Sequence, residues 1–152
     1  MERNKKCWCG SGKKYKYCHL TIEEKIESHR RKGEIVPSRQ MLKTEEQIKK
    51  IKESAALNNA VLDEISSKIA VGMNTGEIDR IVYDFTTKRG GIPATLNYEG
   101  FPKSVCTSIN NEVCHGIPDD SVILQEGDII NVDVSTILNG YFSDASRMFM
   151  IG

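Results

Sequence analysis

The dipeptide Asn139-Gly140 separates two runs of alternating polarity, Asp128–Leu138 and Tyr141–Ile151. Asn-Gly is the strongest short-range hairpin signal, because both residues accept the positive φ that a tight type I′ turn requires. A two-residue turn also fixes the register. Leu138 then faces Tyr141, and Asp133 faces Ser146. Along the first strand Ile130, Val132, Val134, Thr136 and Leu138 form a mostly apolar face, and Asn131, Asp133 and Ser135 form the other. Asp144 lies two residues from Ser146, so it shares a face with Asp133. Diagonal neighbours of this kind have Cα atoms roughly 7–8 Å apart. Aspartate is depleted in mid-strand, and two carboxylates so close repel unless something neutralises them. Their oxygens can converge on a shared pair of cations, which in two-metal hydrolases sit about 3.5–4 Å apart. The plainer alternative is a pair of solvent-facing side chains.

The remainder of the chain predicts helices ahead of this hairpin. Thr44 and Gln47 form a capping box before Ile48, Ile51, Ala55, Leu62, Ile65 and Ile69, which recur on one helical face until Gly72 stops it. Thr75 is placed to cap a second helix, with Ile78, Ile81, Val82 and Phe85 on one face and Gly90-Gly91 at its end. After that the pattern turns to short β-like runs, of which Ser104–Ile109 is the first. Helices followed by an antiparallel hairpin make an α+β fold.

The first 43 residues differ in character. They hold twelve Lys/Arg against five Asp/Glu, whereas residues 44–152 hold nine against sixteen. A basic appendage on an acidic body suggests contact with nucleic acid or another polyanion, the alternative being a solvated tail. Thr21-Ile22-Glu23-Glu24 reads as a capping box for a short helix reaching Gly33, and the stretch around Pro37 reads as linker. No apolar run approaches the ~18 residues needed to cross a bilayer, and the first residues carry no signal-peptide pattern. The expected location is cytoplasmic, with no membrane partner.

Cys7, Cys9 and Cys18 cluster beside His19, giving Cys-x-Cys-x8-Cys-His, while Cys106 and Cys114 stand far away. In a reducing compartment such a cluster points to a metal site, not to disulfides. Three thiolates and one imidazole make the closed tetrahedral set of a structural zinc.

Longer motifs carry a family resemblance. They are Asn97-Tyr98-Glu99-Gly100-Phe101-Pro102-Lys103-Ser104, then Cys106-Thr107-Ser108-Ile109-Asn110, then Asn111-Glu112-Val113-Cys114-His115-Gly116-Ile117-Pro118. Gly127-Asp128-Ile129-Ile130-Asn131-Val132-Asp133-Val134 and Gly140-Tyr141-Phe142-Ser143-Asp144-Ala145-Ser146 follow in order. From about residue 40 onward the chain closely resembles type I methionine aminopeptidases. The resemblance implies a pita-bread fold, two pseudo-symmetric halves around a pair of divalent ions (Co, Mn, Fe(II) or Zn). It implies that Asp133 opens the metal-ligand set and that Asp144 bridges the two ions. His115 corresponds to the histidine that touches substrate near the scissile bond. Tyr98, Phe101 and Cys106 fall where the family lines its pocket for the methionine side chain; Thr95 and Phe101 stand where many bacterial members carry Cys and Tyr. The Cys/His run resembles the SEC-C motif appended to some members, and its lysines and tyrosines make it a candidate contact for the ribosome.

The family's other metal ligands, one His and two Glu, lie in its second half. The histidines here are His19, His29 and His115, and none follows Asp144. The expected organisation is therefore a zinc knuckle at 1–20, a helical linker at 21–43 and the N-terminal half of a catalytic domain at 44–152, inert by itself. The parent protein is read as a monomeric hydrolase acting on nascent polypeptides that begin with methionine. The rival reading is a non-catalytic protein on the same fold that docks on ribosomes or nucleic acid through its basic front.

Overall fold

The structure, a computed structural model, describes residues 1–38 and 41–152; the part of the expected linker at Arg39 and Gln40 lies outside the described residues. The chain forms two compact units, Met1–Lys49 and Lys50–Gly152.

In the first unit, the segments around Lys6 and Lys14 run antiparallel. The Cys7 N–H donates to Lys13 O at 2.8 Å and the Tyr15 N–H to Lys5 O at 2.8 Å. Period-two alternation turns Cys7 and Tyr15 inward, where they are buried with Cys9. Helix α1, Leu20–Arg31, follows directly. It starts one residue ahead of Thr21, with His19 at its N-cap and no side-chain cap, so the expected capping box does not form. Glu23, in the first turn, instead ties the helix to the knuckle: its carboxylate accepts from the Trp8 indole N–H at 2.7 Å and from the Tyr15 hydroxyl. At the far end of this unit the Thr44–Gln47 capping box is present, with both reciprocal bonds formed (2.8 and 3.2 Å), and it opens helix α2, Glu45–Ser66.

The second unit packs α2 and helix α3, Thr75–Thr87, on one face of a four-stranded antiparallel sheet. The strands are β1 (Ile92–Pro93), β2 (Cys106–Ile109), β3 (Ile129–Leu138) and β4 (Tyr141–Met150). Strand β3 is central: β4 pairs along one side, and β2 and β1 share the other. Asn139 and Gly140 both have positive φ, 51° and 81°, as the turn requires. Leu138 pairs with Tyr141 and Asp133 with Ser146, the register expected from the sequence. Ile130, Val132 and Val134 of β3 point to the helices and are fully buried with Val61, Leu62 and Ile65 of α2 and Ile78 and Val82 of α3. Burying side chains of this size stabilises by about 1.5–3 kcal/mol each before entropy is counted.

Three helical expectations are corrected. The buried face of α2 is Ser54, Leu57, Asn58, Val61, Leu62 and Ile65, whereas Ile48 is 43% exposed. Ser54 and Asn58 turn inward because the sheet offers them partners: Ser54 reaches the Thr136 carbonyl at 3.1 Å, and Thr136 donates to Asn58 Oδ1 at 2.7 Å. Helix α2 ends at Ser66, not at Gly72; the Lys68 and Ile69 N–H groups both turn back to Ile65 O, and the Gly72 N–H serves Leu124 O instead. The N-cap of α3 is Asn74 and not Thr75, since the Asn74 side chain accepts the Glu77 N–H and Glu77 returns the bond. Strand β1, too short for periodicity, was not anticipated.

Candidate metal and binding sites

Asp133 and Asp144 lie on the sheet face opposite the helices. Ser135 is the cross-strand partner of Asp144 and donates its hydroxyl to Asp144 Oδ1. Cys106, Asp133 and Ser146 form one row across β2, β3 and β4. Asp133 is half-buried and Asp144 exposed. Burial first, then the Asp144 carboxylate, pushes the Asp133 carboxyl above its ordinary range, and nearby His115 pulls it partly back. A half-buried carboxyl whose ionisation a neighbouring carboxylate opposes suits a cation, whose charge removes the repulsion. Hard carboxylate oxygens match divalent first-row ions.

The same face is uncovered: Phe142, Met148 and Met150 of β4 are 64%, 54% and 86% exposed. Asn131 shares it, and its Oδ1 is buried with no hydrogen-bond partner among the described residues.

His115 sits in the loop that runs beside β2. The Thr107 N–H donates to Gly116 O at 2.9 Å, and the Gly116 N–H to the Ser108 hydroxyl at 3.2 Å. A Cβ on Gly116 would stand 2.0 Å from Thr107 O, so only glycine lets this loop lie on the strand. His115 itself has φ of 58°, a left-handed conformation that histidine adopts more readily than most residues. Its neighbour Cys114 is exposed.

Tyr98, Phe101, Cys106 and His115 come together around one cavity of about 440 Å³, with Thr95 and Ile117 also on its wall. The segment that walls it contains two more left-handed residues, Asn97 at 66° and Glu99 at 48°. Such conformations cost roughly 1–3 kcal/mol and persist where surrounding structure enforces them. Asp79 of α3 supplies one restraint, accepting the Ser104 N–H at 2.7 Å and pairing with Lys103 at 3.5 Å. The Cys106 thiol is raised above its usual value by burial first and then by Asp133. The motif resemblance named Tyr98, Phe101, Cys106 and His115, which line this cavity, but not Asp79 or the reason for Gly116. The left-handed φ at Asn97 is a feature that residue type could have signalled.

In the first unit Cys7, Cys9, Cys18 and His19 place their ligand atoms within 4.8 Å of one another. Hydrogen bonding with Ser11 lowers the Cys9 thiol to about 6, favouring the thiolate a metal needs. The Trp8 and His19 ring centroids lie 4.8 Å apart, tilted by 45°. The donor set and its spacing fit one tetrahedral ion.

Comparison with known proteins places these features. Residues 49–152 match the model of metallopeptidase family M24, and residues 3–21 match the SEC-C motif. The methionine aminopeptidase of Chlamydia trachomatis is 42% identical over 158 residues, covering 100% of this chain and 53% of that protein. That of Escherichia coli K12 is 46% identical over 112 residues, 73% of this chain and 42% of that protein. Among solved structures, methionine aminopeptidase from Rickettsia prowazekii superposes with a TM-score of 0.70 at 44% identity, over 72% of this chain and 44% of that one. Prolidase from Pyrococcus furiosus shares the fold at 19% identity and a TM-score of 0.58. The chain thus spans about half the length of the curated relatives it matches. Its sheet, its covering helices and its motifs agree with one assignment: it belongs to metallopeptidase family M24.

Proposed function

We propose that the protein carrying this chain is a methionine aminopeptidase that removes the initiator methionine from nascent polypeptides in the cytoplasm, working as a monomer. The observation that carries this is the meeting of His115 with Tyr98, Phe101 and Cys106 around one cavity, beside a sheet face that bears Asp133 and Asp144. A cavity walled by aromatic, thiol and aliphatic groups suits an unbranched thioether side chain.

Asp133 and Asp144 would hold part of the coordination sphere of two divalent ions, with Ser135 fixing the Asp144 carboxylate. When bound, the ions supply the Lewis acidity that makes water nucleophilic at neutral pH. His115 stands at the cavity wall, where an N–H can donate to the substrate amide as charge develops. The Cys7, Cys9, Cys18 and His19 set would hold one structural zinc, and the basic knuckle around it would dock on the ribosome.

The test is methionine release from a Met-Ala peptide by the intact protein supplied with Mn, Co or Fe(II). Asp133→Asn and Asp144→Asn should each lower turnover by about 100-fold or more. His115→Ala should slow turnover by about 100-fold with both ions retained. Full activity in either aspartate variant would overturn the metal assignment, and loss of metal in His115→Ala would make that residue a ligand.

A further inference from the structure

The knuckle presents a charged face that the zinc reading does not use. Residues 1–22 contain Arg3, Lys5, Lys6, Lys13, Lys14 and Lys16, with Glu2 as their one acid. Lys6 and Lys14 are direct cross-strand partners, so they emerge on the same side, opposite the buried Cys7 and Tyr15. The next acid along the chain after Glu2, Glu23, bonds Trp8 and Tyr15, the latter on the side opposite Lys14. Glu2 pairs with Lys5 at 3.1 Å, and no carboxylate among the described residues pairs with Lys6, Lys13 or Lys14. Beside them Tyr17 is 73% exposed, with Lys16 Nζ 4.9 Å from its ring centre. An exposed ring held by a cation within a cluster of lysines is the combination that binds single strands: cations follow phosphates and the ring stacks a base. A lipid surface would call for a cluster of apolar side chains to insert, and in this stretch the large exposed ones are Met1, Tyr17 and Ile22, scattered along the sequence among the lysines.

We propose that this face binds single-stranded RNA, with Lys6 and Lys14 on the phosphates and Tyr17 stacked on an unpaired base. It deepens the ribosome-docking reading and rests on it, by naming what on the ribosome is bound. Unpaired bases in RNA loops offer the stacking surface that a duplex hides.

The experiment is fluorescence anisotropy of the zinc-loaded chain with a labelled uridine dodecamer, in competition with duplex RNA and with poly-glutamate. A parallel pelleting assay uses purified ribosomes. The single strand should bind best, and Tyr17→Ala should weaken it by about tenfold or more while leaving the salt dependence intact. Lys6→Glu with Lys14→Glu should weaken binding and flatten its salt dependence, which falls by about 0.7 per lost contact in log–log slope. Lys68→Glu with Lys88→Glu, an equal charge change in the second unit, should stay within about twofold. Zinc content and Trp8 emission establish that each variant keeps its fold. Equal binding of duplex RNA, or no effect of Tyr17→Ala, would overturn the stacking site. Pelleting with ribosomes without oligonucleotide binding, or competition by poly-glutamate alone, would overturn the RNA assignment and leave docking on ribosomal protein. Failure to pellet with ribosomes while the oligonucleotide still binds would overturn the ribosome reading and leave the RNA site standing.

Discussion

The hydroxyls of Ser54 on α2 and Ser143 on β4 lie 2.8 Å apart, tying the long helix to the strand that carries Asp144. Ser54 also donates to Thr136 O, and Thr136 follows Ser135, the residue that holds the Asp144 carboxylate. The acidic row is therefore pinned from beneath by a buried polar cluster, not by apolar packing alone. Ser54→Ala leaves the Thr136 carbonyl without this donor and should destabilise by about 1–3 kcal/mol in urea unfolding. Ile65→Ala, a cavity in the apolar core, should cost about 2–5 kcal/mol. A Ser54→Ala midpoint equal to that of the parent would mean the cluster contributes nothing.

Asp128 joins three segments: it accepts from Asn110 Nδ2 at 2.8 Å and from the Gln125 N–H at 2.7 Å, at the entry to β3. These bonds, that from Asn110 first, hold its carboxyl below the ordinary aspartate range. A depressed folded value means stability present above the unfolded pKa and lost as pH falls through the folded one. Asp128→Asn should thus lower the melting temperature at neutral pH, and the gap should close in acid. Melting curves across that pH range check it, and a gap that widens in acid would contradict the assignment.

Cys106 and Cys114 should differ sharply toward alkylation. Cys106 is buried with its thiol raised by burial and by Asp133, whereas Cys114 is exposed. Thiolate and access both govern the rate. In the zinc-loaded chain iodoacetamide should modify Cys114 first and Cys106 only slowly, read by peptide mass mapping. Equal rates would show that the β2 row opens to solvent.

Removing zinc should be visible through the single tryptophan, Trp8. Its ring lies beside His19 and its N–H bonds Glu23, so the ligand set and α1 share one side chain. Zinc binding supplies folding energy in small closed sites. A strong chelator should release one zinc per chain, shift Trp8 emission and lower α1 helicity in circular dichroism; His19→Ala should do so at lower chelator concentration. Release with emission and helicity unmoved would show the knuckle folded without metal.

How much of this was legible beforehand depends on the range of the interaction. The hairpin register and the shared face of Asp133 and Asp144 follow from a two-residue turn and period-two alternation, both local. The cysteine cluster is likewise local, within thirteen residues, and it assembled as its spacing implied. The buried face of α2 was misplaced because Ser54 and Asn58 take partners 78 or more residues away, which no apolar count detects. The end of α2 was misplaced for a similar reason: Gly72, a local stop signal, gives its N–H to the distant Leu124 carbonyl. The cavity residues came from motif resemblance, while the restraints on them, Asp79 and Gly116, depend on contacts between segments.

The two-residue turn at Asn139-Gly140 also limits how this part of the protein can evolve. Side chains alternate sides along a strand, so gaining or losing a single residue on the Asp144 arm, with the pairing kept, would send one aspartate to the helical side. Changes in length between Asp133 and Asp144 preserve the shared face only in even steps. Insertions and deletions among descendants of this sequence should therefore accumulate elsewhere, and the ten residues between the two carboxylates should behave as a fixed interval that drifts in identity but not in count.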